Sequence, residues 1–126
     1  MRKVTPDKQK AESLRKMAEQ TLARIKDTDA QKYPSQVLKD YYEALHYLME
    51  SLACLKGIKN SGDGAHAELI DWICHECALP EADRQFLHIL RSNRNRIAYE
   101  GFSIGYEFLA DNKAQIEVAI QKIQKV

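Results

Sequence analysis

The feature that most restricts this chain is a single apolar stripe through its second quarter. Leu38, Tyr41, Leu45, Leu48, Leu52 and Leu55 step by three and four residues, which is the period of one face of a helix and not the alternation of a half-buried strand. Tyr33-Pro34-Ser35 opens the run, and Gly57 stops it as a helix C-terminal signal. A helix that long with so continuous a seam needs other helices to cover it. The remainder of the chain supplies them, because only 5 Gly and 3 Pro punctuate 126 residues.

Four further helices follow from the same reasoning. Thr5-Pro6 reads as an N-cap followed by proline at the first helical position, and Leu14, Met17, Ala18, Leu22 and Ile25 carry a first helix to about Asp27. After the loop Asn60-Ser61-Gly62-Asp63-Gly64, the residues Leu69, Ile70, Ile73 and Cys77 mark a third, shorter helix. Pro80, placed in the first turn with Glu81 and Asp83 behind it, opens a fourth that runs through Phe86, Leu90 and Ile97 to Gly101. A fifth spans about Tyr106 to Lys125, with Leu109, Ile116, Ala119, Ile120 and Ile123 inward. Short connections between long amphipathic helices predict one all-α domain over residues 1–126, an antiparallel up-and-down bundle of about five helices with no sheet. On the second helix, Tyr47 and Cys54 lie away from the seam beside Glu43 and Glu50. They are either surface packing or a second interface for a partner helix.

Charge and cysteine content limit the function classes. With 19 basic and 18 acidic residues, uniform electrostatic attraction to a nucleic acid is excluded, and any such surface is a local patch. No stretch reaches the roughly 18–20 uncharged apolar residues of a membrane span. The first residues run directly into a charged helical pattern without the apolar centre of a signal peptide, and the cysteines Cys54, Cys74 and Cys77 are an odd count inside helical patterns. Free thiols in a reducing cytoplasm are the expectation. Cys74-His75-Glu76-Cys77 lacks the second ligand pair that a structural zinc needs, and reads as two small core-facing residues. No metal or other cofactor is expected. Trp72 and the tyrosines read as packing rather than as a base-stacking platform.

The segment Arg91-Ser92-Asn93-Arg94-Asn95-Arg96-Ile97-Ala98-Tyr99-Glu100-Gly101 carries the chemistry. At about 100° per residue, Phe86, Leu87, Leu90, Ile97 and Ala98 define a buried arc, with Arg94 in its middle and Asn93 near its edge. A guanidinium there needs either a carboxylate, with Glu43 and Glu50 as candidates, or a cleft that admits an anion. A planar, bidentate fork suits phosphate.

Arg94-Asn95-Arg96-Ile97-Ala98-Tyr99 resembles the motif of the HEPN family, an arginine followed by a polar residue and, four to six positions later, a histidine near the end of the last-but-one helix. Two other segments are similar to small prokaryotic HEPN proteins: Tyr41-Tyr42-Glu43-Ala44-Leu45 running to Leu55-Lys56-Gly57-Ile58-Lys59, and His66-Ala67-Glu68-Leu69-Ile70. The likeness covers about residues 36–110. It implies a homodimer formed across the motif and a metal-independent ribonuclease site built from Arg94, Asn95 and Tyr99, with Arg91, Arg94 and Arg96 as phosphate or RNA contacts. It also implies a toxin-like role beside a small nucleotidyltransferase antitoxin.

The departure from the family pattern is Tyr99, which stands where the histidine is expected. Cleavage through the 2′-hydroxyl wants an acid and a base near neutral pH, which imidazole provides and a phenol of pKa about 10 does not. None of the four histidines is an evident substitute: His88 points away from Arg94, and His46, His66 and His75 belong to other helices. The expectation is therefore a protein that binds RNA or nucleotide with a degenerate ribonuclease motif. The alternative is a non-catalytic helical module for dimerisation or protein interaction.

Overall fold

The apolar stripe dictates the centre of the molecule. A computed structural model of the chain describes all 126 residues, and in it α2 (Pro34–Lys56) runs through the middle, buried on nearly every side. Its neighbours are α1 (Lys8–Lys26), α3 (Ala65–Glu76), α4 (Glu81–Tyr99) and α5 (Tyr106–Gln124). Leu38, Tyr41, Leu45, Leu48 and Leu52 all enter the core, but Leu55 is exposed in the last turn, so the seam ends one step early. The protein is thus an all-α bundle of five helices. None of them is long and apolar enough to cross a membrane.

α1 packs antiparallel to α2. Ser51 donates its hydroxyl to the Ala11 carbonyl at 2.7 Å near one end, and Arg24 grips Asp40 near the other, Nη2 to Oδ1 at 2.7 Å and Nε to Oδ2 at 3.2 Å. The α1 contact face is built from Ala11, Ala18 and Thr21, with Leu14, Leu22 and Ile25 half-buried beside it. Small residues at that face let the backbones approach, and this rotates Met17 out to an exposed rim instead of the core position its spacing suggests.

The start of α1 also differs from the sequence expectation. Asp7, not Thr5, is the N-cap: its carboxylate accepts from the Lys10 amide at 3.0 Å. The reason is non-local. Residues 2 and 3 form a short strand β1 (Arg2–Lys3) paired antiparallel with β2 (Ile58–Lys59), Val4 donates to the Gly57 carbonyl, and the Asp7 amide donates to the Cys54 carbonyl. The chain is held extended until Asp7, so Pro6 lies outside the helix. This two-residue ladder is the only sheet, where none was expected.

Gly57 is the hinge of that arrangement. It closes α2 at φ 68°, ψ 40°, a left-handed conformation natural to glycine, and a Cβ there would run into the Val4 carbonyl oxygen.

α3 and α4 form a second hairpin. Pro80 is the N-cap residue of α4 rather than a first-turn residue, with Glu81 and Asp83 in the first turn. Asp71 of α3 accepts from Arg84 at 3.1 Å and lies 2.8 Å from His88 Nε2. α5 closes the bundle with Leu109, Ile116, Ala119, Ile120 and Ile123 buried, as their spacing predicts. Cys74 is buried and Cys77 half-buried against the core, and burial raises both thiols, Cys74 to about 11. Trp72 packs partly buried against the same core.

Candidate functional site

α4 is buried only in its first half. Phe86, Leu87 and Leu90 enter the core, whereas Ile97 and Ala98, expected to continue the buried arc, are half-exposed. The change comes where polar groups replace apolar ones between α4 and α2. Arg91 and Arg94, three residues apart, share the face that meets α2.

Arg94 sits at the boundary between core and solvent, its side chain 19% exposed. Its Nη1 donates to Asn95 Oδ1 at 3.1 Å and to the Tyr99 hydroxyl at 3.4 Å. The guanidinium carbon lies 5.9 Å from the ring centre of Tyr42 and 5.6 Å from that of Tyr99, within reach of cation–π attraction. Glu43 is the carboxylate that faces it, but Oε2 is 3.9 Å from Nη2, beyond hydrogen-bond distance. The Arg94 charge is therefore held by a neutral amide, a phenol and two aromatic faces, with only a distant carboxylate. Arg94 also lines a cleft of about 510 Å³ with Glu43, Tyr47, Arg24 and Asp40.

Of the residues expected at this site, Arg94, Asn95 and Tyr99 come together. Arg91 lies on the same side, half-buried, with its Nε enclosed and without a partner among the chain's own groups. Arg96 does not join them: it points elsewhere and stacks on Phe102 at 3.8 Å. Asn93 donates to its own helix at the Ile89 carbonyl. Glu50, the other candidate partner for Arg94, lies 3.4 Å from His46 Nε2. Cys54, half-buried, lines a recess with the N-terminal residues Val4, Thr5 and Asp7.

No protein-family model, curated protein sequence or solved structure matches the chain. The site must be read from its own chemistry.

That chemistry includes two residues that sequence reasoning set aside. His46 of α2 and His66 of α3 stack with ring centres 4.3 Å apart and planes 17° from parallel. Both feel the positive charge of Arg94. Burial first, then His66 and Arg94, pushes the His46 imidazole down to about 4. Burial and then Arg94 lower His66 also, against the opposing pull of Glu50 and Glu43. Both rings are consequently neutral at pH 7. Tyr42, 2% exposed, completes the inner wall; burial raises its phenol to about 12, although Arg91 and Arg94 pull the other way. His88 is committed to Asp71, as its direction on α4 implied, and His75 is exposed.

The signal for the missed pair was present on α2. Tyr42, His46 and Glu50 recur every four residues and form a polar stripe on a helix that is otherwise buried. A larger cleft, about 800 Å³, opens between α1, α2 and α5, but Leu22, Ile25, Val37, Leu109 and Ile120 dominate its walls and neither histidine nor arginine enters it. At Arg94, by contrast, polar and aromatic groups converge.

Proposed function

We propose that this chain is a HEPN-type RNA- or nucleotide-binding domain with a degenerate ribonuclease motif, acting as a toxin-like homodimeric component beside a nucleotidyltransferase antitoxin. The observation that carries the reading is the under-compensated Arg94 guanidinium, bonded to Asn95 and Tyr99 and open to a cleft, with no carboxylate at hydrogen-bond distance. The ion pair expected with Glu43 is present but loose, at 3.9 Å. A phosphate supplies the missing negative charge and accepts the planar fork.

Turnover by the motif itself is weak or absent. Tyr99 offers a phenol, which donates a hydrogen bond or stacks on a base but is a poor base near neutral pH. The test is binding and cleavage of a single-stranded RNA by wild type, Arg94→Gln and Tyr99→His. Wild type binds with an affinity that falls as salt rises, Arg94→Gln binds at least about tenfold more weakly, and only Tyr99→His gains metal-independent cleavage. Salt-insensitive binding equal in wild type and Arg94→Gln refutes the assignment.

One observation favours the second reading, a non-catalytic interaction module. Tyr99 is 74% exposed, more than any other large apolar side chain of the protein. An aromatic at that exposure suits a protein partner as well as a nucleobase. A partner protein that buries Tyr99 and is released by Tyr99→Ala, with no RNA bound at any salt, decides for it.

A further inference from the structure

Six buried side-chain polar atoms make no hydrogen bond within the chain, and four of them belong to this one site: the Tyr42 hydroxyl, His46 Nδ1, Arg91 Nε and Arg94 Nε. Each unmade bond at a buried polar atom weakens the free fold. Four such atoms scattered by chance would be unremarkable singly. Gathered between α2 and α4, beside a fifth polar group on α3, they offer three donors, and His46 Nδ1 as a fourth once the ring is protonated, to one acceptor-rich partner.

The number of donors specifies that partner further. Arg91 and Arg94 bring two positive charges. Glu43 stands 3.9 Å from Arg94, and Glu50 is turned to His46. A phosphodiester inside an RNA strand offers two unesterified oxygens and a single negative charge, which one arginine fork satisfies. A phosphate monoester offers three such oxygens and a charge near −2 at neutral pH. The monoester brings a third acceptor oxygen and about one more negative charge to the two guanidinium groups, the imidazole pair and the Tyr42 hydroxyl.

We propose that Arg91, Arg94, His46 and His66 form a receptor for a terminal phosphate monoester, as carried by a nucleoside monophosphate or by the 5′ end of an RNA. The proposal rests on the phosphate-binding reading above and narrows it from phosphates in general to dianionic end groups. Binding is coupled to proton uptake. In the free protein the imidazoles are kept neutral by burial, by each other and by the arginines, while Glu50 and Glu43 of α2 pull the other way. A dianion cancels the arginine repulsion, so one proton moves from solvent onto the histidine pair, and the resulting imidazolium donates to a phosphate oxygen.

The experiment compares four probes on the full-length chain: one short oligoribonucleotide with either a 5′-phosphate or a 5′-hydroxyl, adenosine monophosphate, and adenosine. Fluorescence anisotropy measures the two RNAs and calorimetry the two small molecules, in buffers of differing ionisation enthalpy between about pH 6 and pH 8. The 5′-phosphorylated RNA should bind roughly tenfold or more tightly than its hydroxyl twin, with the advantage shrinking as pH rises and proton uptake visible near pH 6. Adenosine monophosphate binding as well as the phosphorylated RNA identifies a mononucleotide ligand, and weaker binding identifies an RNA end; both support the receptor. His66→Gln, a half-exposed position, should abolish proton uptake, and Arg91→Gln should erase the phosphate preference, with circular dichroism reporting that each remains folded. Equal binding of the two RNAs overturns the receptor while leaving phosphate contact standing. Failure of all four probes overturns both.

Discussion

Acid should unfold this protein partly through one ring, His46. Its pKa in the folded chain is about 4, against about 6.5 for an unhindered histidine. Between those two values the unfolded chain binds more protons than the folded one, so stability rises with pH across the window and is lost on acidification. The full penalty for a drop from 6.5 to 4 is about 3 kcal/mol. Integrating the linkage gives a loss of about 1.4 kcal/mol at pH 5.5 and about 2.6 kcal/mol at pH 4.5. His66, lowered by the same burial and the same arginine, adds in the same direction. The assay is urea denaturation of wild type and His46→Gln at about pH 7.5, 5.5 and 4.5. Carboxylates such as Asp71, held low by His88 and Arg84, destabilise both proteins alike in acid, so the difference between their pH slopes isolates His46. Wild type should lose stability more steeply than His46→Gln, by the amounts above. Parallel slopes, or an NMR titration placing the His46 ring above pH 6, would refute the claim that the site between α2 and α4 is dry enough to exclude its proton.

Three further outcomes are expected. Gly57→Ala should cost about 2–4 kcal/mol in thermal or urea unfolding, from the left-handed backbone plus displacement of the Val4 carbonyl; a change below about 0.5 kcal/mol would mean that the N-terminal segment is not packed there. Asp7→Ala should cost about 1 kcal/mol by removing the N-cap of α1, whereas Thr5→Ala should be near neutral; equal effects would move the helix start back to Thr5. Sedimentation at micromolar protein should give twice the 14.5 kDa chain mass, with Tyr99→Asp shifting it toward monomer; a wild-type monomer at moderate salt removes the dimer from the proposed function.

The parts of the fold legible in the sequence are those set by local periodicity. The α2 seam and the inward set of α5 depend on 3.6-residue spacing alone, and both hold, with Leu55 lost at the end of the α2 seam. The start of α1 is not local. It is decided by pairing residues 2–3 with residues 58–59, and a favourable Thr5-Pro6 cannot compete with that tether. The same division runs through the site. Arg94, Asn95 and Tyr99 share one helix, and it was the resemblance of their segment to a family motif, not helical spacing, that grouped them. His46 and His66 come from two other helices, and only the crossing of α2, α3 and α4 brings them beside Arg94. A polar stripe at 42, 46 and 50 on a helix that is mostly apolar could have announced them. Tyr42 and His46 of that stripe are largely withdrawn from solvent, so neighbouring helices face them.

The orphaned Tyr42 hydroxyl makes the site's dual character testable. Replacing a buried polar group that has a partner removes a bond, while replacing one without a partner removes a desolvation penalty. Tyr41 and Tyr42 are neighbours on α2, both buried, and differ in this respect: the Tyr41 hydroxyl donates to Glu117 at 3.2 Å, and the Tyr42 hydroxyl has no partner in the chain. Tyr41→Phe should therefore destabilise the free protein by about 1 kcal/mol, and Tyr42→Phe should stabilise it by about 1 kcal/mol. If the hydroxyl is retained for a ligand, Tyr42→Phe should at the same time weaken binding of a 5′-phosphorylated RNA. The two tyrosines sit on one helix and undergo the same chemical change, so propensity and hydrophobicity cancel between them. A Tyr42→Phe protein that is less stable by 1 kcal/mol or more would show that its hydroxyl is already bonded in the free protein. The count of unsatisfied groups that points to an anion at this site would then lose its most deeply buried member.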